Sequence, residues 1–295
     1  MFPPQMPFTR SGRVLGPLLT VLALTLSCSL PQPGPPGVTY EFDSAKDMFK
    51  RGQFDRALEF CHGPATASPP NAFTERAQVL QVVIYSGQMK AYLELADSYQ
   101  KGVDATKNPH FTRAYTNLRQ DYLQAGSRLT LGLGDVAHRI TETGAIPKEV
   151  TLEAPYPTTE GSTTLAPLAQ VEEGGWLEPA EQEAVARDAQ LKGIDDALAE
   201  IIGGDRSKAR AELTAGPVKL DGASFALYLG RQLLAGAGYF DRKHLRDSTK
   251  LRTLCGEADE TAKIALAALK ENSNKDKEKA VKKLQDDIKT ALKRL

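Results

Sequence analysis

From Ser44 onward, apolar residues recur at helical spacing in one segment after another, with polar residues on the opposite faces. Ser44-Ala-Lys-Asp47 has capping-box spacing and predicts a helix through Arg51. Phe111–Ala125 and Leu129–Thr143 predict a further helix pair, closed by Gly144 with Pro147 beyond. The period is lost from Ala145 to Glu178, where prolines, threonines and glycines predict one long irregular insertion, a functional loop or a linker. Helices resume at Pro179, with Glu181 and Glu183 in the first turn, and run to Gly203. Ser224–Ala235 and Leu251–Leu269 are helical on either side of a break at Gly236–Phe240. In the tail, residues 275–295, Val281, Leu284, Ile288 and Leu292 form one stripe among lysines and aspartates. That stripe predicts a capping helix on the body, or a basic helix lying on a membrane surface. The expected class is all-α, in antiparallel helix pairs, with helical halves at 44–144 and 179–295 separated by 145–178.

Within the first half, Ala45, Phe49, Gly52, Phe54, Ala57 and Phe60 alternate small residues, aromatics and a turn glycine. This order resembles a tetratricopeptide repeat, in which the glycine permits a tight interhelical turn and the alanine lets the second helix approach the first. Gly52-Gln53-Phe54 with Leu58-Glu59 recurs as Gly87-Gln88-Met89 with Leu93-Glu94, thirty-five residues later. A fainter echo runs from Gly204 to Ala209 and Leu213. The resemblance implies a right-handed stack of helix pairs, with Gly52 and Gly87 in equivalent turns.

Ahead of these helices, Arg10 and Arg13 precede an apolar run from Val14 to Leu26, and Ser27 stands directly before Cys28. This is the layout of a cleavable secretory signal, too short to span a bilayer comfortably. Cys28 after a small residue, followed by Pro31, Pro33, Pro35 and Pro36, resembles the lipobox and tether of bacterial lipoproteins. The resemblance implies a signal peptide at 1–27, acylation of Cys28, and a Pro/Gly-rich tether at 28–43. Ser29 in place of an aspartate implies the outer membrane more than the inner. Thr25 and Ser27 also suit an ordinary signal peptidase, which leaves a secreted soluble protein as the alternative.

Thirty-seven basic residues balance thirty-seven acidic ones, so no global field draws the chain to nucleic acid. Cys61 and Cys255 are either a candidate disulfide pair in an oxidising compartment or two small buried hydrophobes. Neither they nor His62, His110, His138 and His244 have metal-ligand spacing, so no metal and no cofactor is expected. No GxSxG elbow or GxxxxGK[ST] loop occurs, which argues against hydrolase and nucleotide-dependent chemistry. Gly132-Leu-Gly134-Asp135-Val-Ala137 fits G-x-G-x-x-A but lacks a βαβ setting, and its glycines suit a helix crossing better. Trp176, in a Gly-Gly-Trp context, and Tyr92 are candidate interface residues; Trp176 alternatively pins the insertion to the helical core.

These features point away from an enzyme and toward a membrane-anchored periplasmic scaffold that binds an envelope protein or peptide on a helical-repeat surface. Two alternatives remain. One is a small-molecule binder or enzyme with a pocket between the two halves, lined in part by 145–178. The other is a purely structural envelope lipoprotein.

Overall fold

The run from Val79 to Ile84, followed by Ser86, Gly87 and Met89, is buried on nearly every side. A helix apolar all round belongs at the centre of its domain. In the computed structural model, which describes residues 36–142, 144–158, 165–271 and 274–293, that helix is α3 (Thr74–Ala105). Around it pack α2 (Phe54–Ala65), α4 (Pro109–Thr141), α5 (Ala166–Glu172), α6 (Pro179–Ile202), α8 (Gly222–Ala237) and strand β1 (Glu149–Leu152). Outside this shell lie α1 (Pro36–Lys50) on α2, α7 (Arg206–Ala215) on α6, and α9 (Ser248–Glu271) with α10 (Lys275–Lys293) on α8. Ten helices and one two-stranded sheet make the described residues mostly helical. The signal, Cys28 and the tether up to residue 35 lie outside the described residues.

The sheet ties the 145–178 segment to the second half. β1 pairs antiparallel with β2 (Val218–Asp221), with Glu149 opposite Asp221 and Leu152 opposite Val218. Val150, Leu152 and Leu220 turn inward to the core. The 145–178 segment is therefore more than an irregular insertion: it carries β1 and α5, and its chain is held by neighbouring helices. Glu153 accepts from Lys46 and Arg76, each at 2.7 Å. Thr158 donates twice to the Lys50 carbonyl, each at 2.9 Å. Periodicity misses β1 because four residues are too few to display it.

Three further expectations need correction. α1 begins at Pro36, a residue suited to the first helical position, so Ser44 is interior and residues 36–43 of the expected tether are helical. α4 is one continuous helix instead of a pair. Gly126, in the gap between the two predicted helices, serves packing, because a Cβ there would meet the Tyr239 ring; Gly132 lies at a close contact as expected, since a Cβ on it would meet Tyr85. The Gly52–Gly87 correspondence also fails. Gly52 occupies the α1–α2 turn at φ +72°, but Gly87 lies inside α3, where a Cβ would stand 2.7 Å from Ile194 Cα of α6. Sequence spacing alone does not separate a turn glycine from a crossing glycine.

Other readings stand. α6 opens at Pro179 with a Glu178/Glu181 capping box and closes on Gly203 in the left-handed conformation. α10 packs on α9 and α8 through buried Val281, Leu284 and Ile288.

Candidate functional site

A cleft of about 690 Å³ opens between the chain leaving α4 and the second half, beside the sheet. One side is the chain leaving α4, Gly144 to Lys148; the other is the end of α9 and the start of α10. Gly144, at φ +69°, turns the chain out of α4. The strap then runs against the N-terminus of α8, where Gly222 N–H donates to the Lys148 carbonyl at 2.8 Å. A Cβ on Gly222 would stand 1.9 Å from the Pro147 carbonyl oxygen, so only glycine allows this approach.

The wall is apolar along α9, through Ile264, Ala267, Ala268 and Leu269, and across the strap at Ala145 and Ile146. Lys148, Asp221, Asn274 and Lys277 supply polar groups, two lysines against one carboxylate. Asp221 accepts from the Ser224 N–H at 2.9 Å and hydroxyl at 2.8 Å, capping α8. It also accepts from Lys277 Nζ at 2.8 Å, which ties α8 to the first turn of α10. Burial alone would raise the Asp221 carboxyl, but the bonds from Lys277 and Ser224 outweigh it and hold the group below its ordinary range. Asn274 accepts from the Lys277 N–H at 3.1 Å and orients that turn. The cleft thus combines an apolar trough with a fixed, charged rim. It offers shape and polarity to a ligand but no nucleophile–base pair.

None of the residues singled out from sequence lines this cleft. Cys28 lies outside the described residues. Cys61 in α2 and Cys255 in α9 are free and buried, so the pair is not formed. Burial pushes their thiols up to about 12 and about 11, which makes both inert. Trp176 is half-buried and stacks on Phe111 at 5.1 Å and Tyr115 at 5.7 Å. It pins the insertion to α4, in a second core cluster with Leu95, Tyr99 and Val171. Tyr92 stacks on Tyr122 at 5.7 Å and its hydroxyl accepts from Gln190 at 2.6 Å, inside the α3–α4–α6 packing. Both aromatics are therefore internal contacts. The G-x-G-x-x-A run is part of α4.

Lys148, Asp221, Ile264 and Lys277 carry no sequence motif that marks a pocket. The one legible signal was Asp221-Gly-Ala-Ser224, a helix-capping pattern. Among the described residues, no group of three or more His, Cys, Asp or Glu side chains is placed to hold a metal ion, and no helix is long and apolar enough to cross a membrane. Comparison with known proteins returns no match: no family model, no curated protein and no solved structure is significantly similar to this chain.

Proposed function

We propose that this protein is an exported binding protein, attached to the cell envelope through acylated Cys28, whose cleft takes a small amphiphile. The observation that carries the reading is the cleft of about 690 Å³ between the strap after α4 and the second half, apolar along α9 and rimmed by Lys148 and Lys277. Concave, largely apolar sites with a few placed polar groups are where small ligands bind. Each buried methylene contributes about 0.8 kcal/mol, so a partly enclosed alkyl chain corresponds to a roughly micromolar to millimolar Kd.

Dodecanoate is a suitable probe, with Ala267→Trp as the blocking variant, because Ala267 lines the cleft and is exposed. Calorimetry is expected to give saturable binding to the wild type and none to Ala267→Trp, while the urea midpoint shifts by under about 0.5 kcal/mol. Equal binding to both proteins overturns the reading. A second reading, docking of an envelope protein or peptide, is supported by a different feature, the outer edge of β2.

A further inference from the structure

The sheet has an open side. Gly222 stands opposite Lys148 in the register and donates to its carbonyl at 2.8 Å. In an antiparallel ladder hydrogen-bonded pairs alternate, so they fall next at Val150–Leu220 and Leu152–Val218, and Lys219 and Asp221 aim their backbone groups away from β1. On β1 the same alternation turns the Thr151 N–H outward, where the Glu75 carboxylate accepts it at 2.8 Å. β2 has no such cover. Among the described residues, the outward N–H and C=O of Lys219 and the N–H of Asp221 have no partner.

A groove of about 320 Å³ runs beside this edge, formed with the end of α6, with α7 and with α8. Ile201, Ile202 and Leu227 line it. Its carboxylates are already answered: Glu200 by Lys90, Glu212 by Lys208 at 3.7 Å, and Asp221 by Lys277 at 2.8 Å. Lys219 is drawn away to Glu149 at 3.1 Å. Arg231 is exposed and has no ion-pair partner among the described residues. The unanswered charge in the groove is therefore positive.

We propose that the outer edge of β2 takes an extended segment of another protein as a third strand, with an apolar side chain against Ile202 and Leu227 and an acidic side chain on Arg231. Strand addition of this kind draws its affinity from main-chain hydrogen bonds and its specificity from the side-chain pockets beside them. Gly216 and Pro217 precede the strand, so the added segment is short and its exchange fast.

The test uses the whole mature protein, isotopically labelled, and a terminally blocked peptide of alternating threonine and valine with one glutamate. The amide signals of Lys219 and Asp221 are expected to move saturably, and a peptide with lysine in place of glutamate to bind about tenfold more weakly. Arg231→Glu is expected to invert that preference. Lys219→Pro removes an outward donor and leaves the β1-facing bonds intact, so it is expected to weaken binding about tenfold. Because Arg231 is exposed, the charge reversal stays informative if Lys219→Pro fails to fold. An absence of shifts at Lys219 and Asp221, or an unchanged preference in Arg231→Glu, overturns the proposal. Neither Lys219 nor Arg231 lines the cleft, so dodecanoate binding in these variants separates this edge from the cleft.

Discussion

The crossing of α3 and α6 is a close backbone contact in the core that a single atom can probe. Gly87→Ala adds one methyl group to a buried helix interior. On propensity alone the change is favourable by about 1 kcal/mol. The added Cβ, however, would stand 2.7 Å from Ile194 Cα and 2.8 Å from its backbone nitrogen. Carbon contacts settle near 3.5–4.0 Å, so the two helices must part by roughly an ångström. The obstacle is backbone and has no rotamer to give. Gly193 meets the Gly87 carbonyl oxygen at 2.2 Å from its own notional Cβ, so α6 has no slack in return. Overpacking of this kind costs about 1–3 kcal/mol, and the upper part of that range applies here. The net expectation is a loss of about 1–2 kcal/mol, or roughly 2–4 °C in Tm for a domain of this size. Gly256→Ala in α9 is the matched control, because nothing lies within 4 Å of its added Cβ. It should gain up to about 1 kcal/mol. Urea unfolding of both variants decides the matter: Gly87→Ala as stable as the wild type beside a stabilised Gly256→Ala would refute the crossing.

Three further outcomes are expected. Trp176→Ala removes the stack on Phe111 and Tyr115 and should cost about 2–4 kcal/mol in urea unfolding; a loss under about 0.5 kcal/mol would contradict its role as an internal pin. Burial pushes the Asp195 carboxyl up, only partly offset by Tyr156, Arg206 and Arg210. The folded state then keeps this proton to higher pH than the unfolded chain, so the group's contribution is full below about pH 4 and declines as pH rises through the raised folded value. Asp195→Asn removes that decline, and its urea midpoint relative to the wild type should rise between pH 4 and pH 7; a fall would reverse the sign. Cys28→Ala should release the protein from the membrane pellet to the soluble fraction, with mass spectrometry of the wild-type N-terminal peptide showing acyl chains; an unmodified Cys28 points to plain secretion.

Helices that bury one regular stripe were legible in the sequence, as α9 and α10 show. α6 announced both ends, through Pro179 with Glu181 and through Gly203. Glycines were ambiguous because one residue type serves two physical needs. Gly52 relieves a positive φ, whereas Gly87 and Gly126 relieve contacts with residues distant in sequence, Ile194 and Tyr239. β1 and β2 were invisible for another reason: each is four residues long, and the pairing joins positions about seventy residues apart. The cleft inherits that difficulty. Its lining comes from the strap after α4, the start of α8, the end of α9 and the start of α10, and only tertiary packing gathers them. What could be read was that residues 145–178 line it in part, through Ala145, Ile146 and Lys148; the expected place between the halves does not hold, because the rest of the lining apart from Gly144 belongs to the second half.

The most direct test of the cleft is methyl NMR of the mature protein, labelled at isoleucine, leucine and alanine and titrated with dodecanoate. Binding along α9 requires saturable shifts at Ile146, Ile264, Ala267, Ala268 and Leu269, with Ala57 and Ala65 beside Cys61 in α2 and Leu95 in the Trp176 cluster unmoved. Shifts scattered over the surface, or none at these five residues at saturating probe, would contradict a ligand site between the strap and α9.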